Sequence, residues 1–276
     1  MALADSAGAL APEIRRLADL RRRRLRVQLL LSALVAILVL WSVQATIIAD
    51  TDWERIGSLG EVLAAIGRFL VLDFALIPHL WQPMLETFMM ATLGTLLGLV
   101  FSLPVAWFGA LNVTPSRRIA YPLGRFLMTL SRSIHEIVWA LIFVAAVGLG
   151  ALPGILAIAM RSVGFISKIT AEAIENTDPK PIEAIRAMGG NHFQVMYYGI
   201  LPQIMPVVLG TIIFEWDINI RRSAVMGLVG AGGLGLVFFR QMQMYNYGGV
   251  TMVIIATLLL ILLGEVLSHY ARKAVT

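Results

Sequence analysis

The chain of 276 residues contains no cysteine. That excludes disulfides, thiol nucleophiles and Cys-ligated metal sites. Its four histidines (His79, His135, His192 and His269) are scattered, so none fall at metal-ligand spacing. Charge is scarce, at 14% of residues, against about 25% in a soluble domain. With 58% hydrophobic residues and a mean hydropathy of +0.81, the deficit excludes an ordinary soluble domain and points to a bilayer. No Walker A sequence occurs, so the chain has no P-loop for ATP, and any energy source must come from a partner. Gly230-Ala231-Gly232-Gly233-Leu234-Gly235 matches G-x-G-x-x-G. It lacks a surrounding βαβ unit and an acidic residue about 20 positions on, which excludes dinucleotide binding. It suits a close-packed turn before a helix, in a re-entrant segment.

What is present is a series of long apolar runs. The pattern predicts an all-α polytopic membrane protein with about six transmembrane helices, at 27–49, 84–110, 119–148, 153–170, 200–221 and 250–268. The third is long enough to be tilted or bent near Pro122. Gly94 and Gly98 form a GxxxG pair that permits close helix contact. Leu59 to Leu80 is apolar but carries Glu61, Arg68 and Asp73, and is expected to lie in the interface as a helix, with a spanning helix as the competing reading.

The net charge of +5 is uneven. Arg15, Arg16, Arg21, Arg22, Arg23, Arg24 and Arg26 abut the first run, so they act as a topogenic anchor rather than a nucleic-acid patch. With six spans and the N-terminus inside, fourteen Lys and Arg fall in cytoplasmic segments and three (Arg55, Arg68 and Arg240) outside. A seventh span at 59–80 would put either the Arg run or the polar loop near 180 outside.

Ionisable residues inside spans are expensive and mark functional positions. The third span holds Arg132, His135, Glu136 and Trp139, at offsets that share one face of a continuous helix. The fifth holds Glu215, Asn219 and Arg222, with Asp217 and Arg221 as a second i, i+4 pair. Internal bridging, such as Arg132–Glu136 or Asp217–Arg221, is the structural alternative to a direct role in transport. Arg161 lies mid-span in the fourth helix, with Glu136 or Glu215 as possible partners.

One polar stretch interrupts the apolar pattern. Asp178 is a good N-cap before Pro179-Lys180-Pro181, where Pro suits a first turn. Ile182, Ile185 and Met188 share one side of the helix that follows, and Gly189-Gly190-Asn191 stops it. A short helix from Phe193 to Tyr198 runs on to Gly199, and Leu201-Pro202 leads into the fifth span.

Glu183-Ala184-Ile185, then Gly189, then Leu201-Pro202 resembles the EAA loop of bacterial ABC-importer permeases, with Ile185 in place of the usual Ala and Gly199 in place of the usual Ile. SRSIHEIVWALIFVAAVGLG and FEWDINIRRSAVMGLVGAGGLG resemble the phosphonate-importer permeases over roughly Met84 to Ser268. The resemblance implies a transport subunit rather than an enzyme, in the bacterial inner membrane, and the charge count puts both termini on the cytoplasmic side. Residues 1–26 form a basic cytoplasmic segment, 27–83 the first span and a periplasmic interfacial helix, and 84–270 the permease core, with a coupling loop at about 171–199. It implies a homodimer, a cytoplasmic ABC ATPase dimer that binds ATP and Mg, and a periplasmic substrate-binding protein, with no cofactor in this chain. Glu183, Ala184, Ile185, Gly189, Leu201 and Pro202 would couple to the ATPase. Arg132, His135, Glu136, Glu215, Asp217, Asn219, Arg221 and Arg222 would line the path of phosphonate or a related phosphorus oxyanion. Alternatives are a methionine-type or other small-solute permease and, from another class, an ion-coupled carrier or channel. A stable stoichiometric ATPase partner would exclude the last two.

The charge count predicts sidedness, and the absence of native cysteine makes single-Cys labelling free of background. Asn191→Cys is expected to label only from the cytoplasmic side and Ser58→Cys only from the outside. Labelling of both from one side overturns the six-span arrangement.

Overall fold

The computed structural model describes residues 2–50 and 58–275, with side chains from 21 to 274 apart from 22 and 51–57. The side chains of Arg15, Arg16 and Arg22, and all of Arg55, lie outside the described residues. No strand occurs among the described residues. Five stretches are helical, long and apolar enough to cross a membrane, six if one sharply bent pair counts as a span. The chain divides into two compact units, Met1–Ala64 and Ala65–Thr276.

In the first unit, α1 (Ala2–Val43) continues through a π-type turn at Gln44–Ile48. Its stretch Arg23–Ile48 meets the requirements of a span, and none of its apolar window is buried, as suits a helix surrounded by lipid. A capping box opens α2 (Leu59–Gly67): Ser58 N donates to Glu61 Oε2 (3.0 Å), and Glu61 N donates to Ser58 Oγ (3.4 Å). The helix expected over 59–80 is therefore only nine residues long. It reaches about 14 Å at 1.5 Å per residue, too short to cross a core of about 30 Å. The second unit, from Ala65, begins within this helix; one tight turn follows at Arg68–Leu70, and Val71 is extended. Asp73 then caps a new turn by accepting from Ala75 N (3.2 Å).

The second unit is built on α3 (Ile77–Gly109) and α6 (Ala151–Glu175), which form its most extensive helix pair. α3 begins seven residues before the expected Met84. Gly94 and Gly98 face α6. A Cβ on Gly94 would lie 2.6 Å from Ile158 Cγ2, and one on Gly98 would lie 2.7 Å from Ser162 Cβ. The GxxxG pair thus works within the chain, where absent side chains let two backbones approach.

The expected third span is two helices, α4 (Ala120–Ser133) and α5 (Glu136–Val147), meeting at 91°. Pro122 does not make the bend. It sits in the first turn of α4, where its missing N–H costs nothing. The break lies at Ile134, which is extended, and His135, whose Nδ1 accepts from Ile137 N (3.3 Å) and so caps α5. Arg132 and Glu136 consequently belong to different helices, and the shared face inferred from offsets of 3, 4 and 7 does not exist.

Beyond α6, the polar stretch forms α7 (Pro179–Ala187) and a single turn, α8 (His192–Gln194). A π-type turn at Val195–Ile200 leads into α9 (Leu201–Met226). α10 (Gly233–Gln243) and α11 (Tyr247–Val275) complete the unit. The glycine-rich stretch before α10 takes positive φ at Gly230, Gly232 and Gly233, and its amides dock on α3: Gly233 N donates to Glu86 Oε2 (3.1 Å) and Leu234 N to Thr87 Oγ1 (2.9 Å). It is a close-packed turn before a helix.

Candidate functional site

The loop from 178 to 202 folds as a braced finger. Asp178 caps α7 by accepting from Lys180 N (3.0 Å). Gly189 ends the helix with φ +82°, a left-handed cap that glycine adopts without penalty. The turn is tight at Gly190, where a Cβ would lie 2.6 Å from Ile185 Cγ2. Asn191 was expected to help stop α7. It instead starts α8 through a capping box with Gln194, at 2.9 and 2.8 Å. Gln203 ties the finger to α9: its amide oxygen accepts from Asp178 N (2.9 Å), and its amide nitrogen donates to Gly199 O (2.6 Å). Gly199 lets Ile182 and Ile185 rest on the backbone. Glu183 and Ala184 are exposed, Ile185 and Leu201 half-buried, and Pro202 exposed. At the tip, Met188 is 79% exposed and Phe193 80% exposed, an apolar pair in a polar loop.

The second constellation is a buried polar cluster joining four helices. Glu215 on α9 is fully buried; its Oε1 accepts from Ser162 Oγ on α6 (3.1 Å) and from Arg222 Nη1 (2.8 Å). Asn219, one turn on, donates to Thr95 Oγ1 of α3 (2.9 Å) and Ser162 Oγ (2.8 Å), and accepts from Arg222 Nη1 (3.0 Å). Arg222 also reaches Glu136 at the start of α5 (3.5 Å), which pairs with Arg161 of α6 (3.6 Å) and lies 3.9 Å from His135. Two arginines and two glutamates thus balance within the protein. The periodicity of α9 accounts for one side: residues at i, i+4 and i+7 share a face.

The expected path residues therefore separate. Glu136, Glu215, Asn219 and Arg222 come together. Asp217 and Arg221 form their own pair at 2.9 Å, with the Arg221 side chain 46% exposed. His135 is exposed. Arg132 does not bridge to Glu136, because the helix break parts them; it is exposed and makes no ion pair among the described residues. Thr95, Ser162 and Gln203 were not singled out in the sequence. A hydroxyl or amide in a span or loop has no distinguishing pattern until its partner is in place. Arg161, left between two partners, takes Glu136. Arg125 and Glu175 were also not singled out. They join α4 to the end of α6 through two 2.8 Å hydrogen bonds, and Glu175 accepts from Leu111 N (2.8 Å) as well.

Residues 56–276 match the family described as binding-protein-dependent transport system inner membrane component. The chain is 37% identical over 218 residues to the phosphite transport system permease protein PtxC of Stutzerimonas stutzeri, covering 79% of each chain. It is 33% identical over 188 residues to the phosphate-import permease protein PhnE of Mycolicibacterium smegmatis, covering 68% of this chain and 35% of that one. Among solved structures, an inward-facing MetNI methionine ABC transporter matches with a TM-score of 0.65 at 24% identity, covering 74% of this chain and 100% of that one. That last likeness concerns the fold.

The buried cluster predicts non-additive stability. Arg222→Met strands the Glu215 carboxylate in the core and is expected to cost about 3–5 kcal/mol, the usual penalty for removing one partner of a buried pair. Glu215→Met combined with Arg222→Met should recover more than half of that loss. Thermal melts of the detergent-solubilised protein check this, and additive losses would show that the two side chains are not coupled.

Proposed function

The chain belongs to the family of binding-protein-dependent transport system inner membrane components, and we propose that it is the permease subunit of an ATP-driven importer for phosphite, phosphonate or a related phosphorus oxyanion. The observation that carries this reading is the likeness to a phosphite permease over most of both chains. The likeness to a methionine transporter supports the shared fold and says nothing of cargo.

In this reading two copies of the chain work with a cytoplasmic ATPase dimer that holds ATP and Mg, and a periplasmic binding protein delivers the cargo. Both termini are cytoplasmic, which follows from the charge count. The coupling role falls on the braced finger. Its exposed Met188 and Phe193, flanked by Glu183 and Ala184, suit insertion into a groove of another protein. Ile185, Gly189, Leu201 and Pro202 shape its seat. A push on α7 passes through Gln203 to α9, which carries Glu215, Asn219 and Arg222 into the helix-joining cluster. Movement of α9 against α3, α5 and α6 is the rigid-body rocking that alternating access requires.

Cargo is tested by uptake in cells lacking other phosphorus importers and expressing the whole system. Radiolabelled phosphite or methylphosphonate is expected to accumulate saturably, and methionine to give background counts. Methionine accumulation without phosphorus uptake overturns the reading.

Coupling is tested at Gly189. A Cβ there meets no atom within 4 Å, so the burden of a substitution is conformational alone. Gly189→Val, strained at φ +82°, should leave the assembly intact and lower uptake about tenfold or more, while Gly189→Asn, which tolerates this region, retains it. ATPase stimulation by the loaded binding protein, read beside uptake, is the measure. Wild-type values in the Val variant would remove the turn from the coupling step.

A further inference from the structure

α4 and its N-cap residue carry two stripes of opposite character. Ile119, Leu123, Phe126 and Leu130 are apolar and exposed, suited to lipid. Arg125, Thr129, Arg132 and Ser133 recur at offsets of 4, 7 and 8 on another face. That face, with Met128 beneath it and Lys168 from α6 beside it, lines a groove of about 310 Å³. That volume is at the lower end of ordinary small-molecule sites, which run about 300–1,000 Å³.

The packing that makes the groove is specific. Gly164 lies under α4, and a Cβ there would sit 2.7 Å from Arg132 Cγ. Ser131 Oγ accepts from Gly164 N (2.9 Å) and donates to Met160 O, the two groups that a continuous helix would join directly. A hydroxyl of α4 is thus spliced into the ladder of α6. This fixes Arg132 and Lys168, one turn beyond Gly164, on the same opening.

The charges are unequal in their freedom. Arg125 is held by Glu175 through two hydrogen bonds, so its charge is spent. Lys168 lies 3.5 Å from Glu172 in a half-exposed i, i+4 pair, an arrangement of small net value that releases easily. Arg132 has no carboxylate partner among the described residues. An unpaired cation on a membrane-spanning pair of helices must face water rather than hydrocarbon. Its planar fork matches two oxygens of an oxyanion, and Lys168 adds a point charge beside it. The buried cluster around Glu215, by contrast, is neutralised internally.

We propose that the Arg132–Lys168 groove between α4 and α6 is a water-exposed station where a free phosphorus oxyanion is held during its passage. Arg132 is the bidentate ligand, and Lys168 is the second cation once released from Glu172. The inference rests on the oxyanion-import reading. A phosphodiester lipid headgroup shares the same chemistry and is separated by the test.

The test uses the complete transporter in nanodiscs of zwitterionic lipid, with Thr129→Cys as the single thiol. An anionic methanethiosulfonate is expected to label it about tenfold faster than a cationic one, as a focused positive field requires. Inorganic phosphate and methylphosphonate should slow labelling where chloride at equal ionic strength does not. Arg132→Met with Lys168→Met should abolish both effects, and Arg132→Lys should keep the reagent preference while weakening phosphate protection. Melting temperatures of each variant confirm that the fold persists. Equal rates for the two reagents, or no protection by either oxyanion, overturn the station. Protection that appears only when phosphatidylglycerol is added, with free phosphate inert, assigns the groove to a headgroup and also overturns it. The wild-type uptake assay separates the two levels. Absence of phosphorus uptake there defeats the cargo reading, whereas normal uptake and affinity in the Arg132→Met, Lys168→Met variant defeats the station alone.

Discussion

A carboxylate with no access to water must find its partners inside the protein, and Glu215 sets this demand for the whole second unit. Its Oε1 takes Arg222 and Ser162, and Arg222 draws in Asn219 and Glu136. Each partner lies on a fixed helix. Satisfying one oxygen therefore specifies where α3, α5, α6 and α9 stand relative to one another. In a bilayer the apolar side chains cannot do this, because lipid solvates them as well as a neighbouring helix does. Small residues make the convergence possible. Gly94 and Gly98 bring α3 against Ile158 and Ser162, and so bring Thr95 within reach of Asn219.

The same logic runs to the polar end of the unit. Glu175 closes α6 by holding Arg125 and the Leu111 amide, and Gln203 joins the start of α7 to the start of α9. The finger is therefore not a loose loop. It has a capped helix, a left-handed glycine stop, a second cap at Asn191 and a side-chain tie at its root. Such bracing ties the finger to the start of α9, and α9 supplies Glu215, Asn219 and Arg222 to the buried cluster. The finger thus adjoins the start of α9, and the cluster lies in its second half.

Much of this was legible in the sequence because its causes are local. Asp178 before a Pro turn, Gly189 at a helix end and the i, i+4, i+7 spacing of Glu215, Asn219 and Arg222 are all short-range patterns, and each forms as expected. The length of the helix at 59–80 and the break within the third span were not legible, because apolar content does not reveal breaks. Val71 and Ile134 are both β-branched residues in extended conformation, and nothing in their composition marks them off from helical neighbours. His135 has a helix-cap role that becomes visible only once the break exists.

The chain's sequence by itself determined its medium, its helical class, the position of the polar finger and the kinship to importer permeases, because hydropathy, caps and local motifs are properties of neighbouring residues. Only the tertiary structure decided which charges are spent and which are free. Arg132 and Glu136 lie four residues apart, yet a 91° turn sends one to an open groove and the other into the core with Arg161 and Arg222. Ion pairing depends on distance in space, and a helix break or a glycine contact between distant segments changes that distance without altering the spacing along the chain.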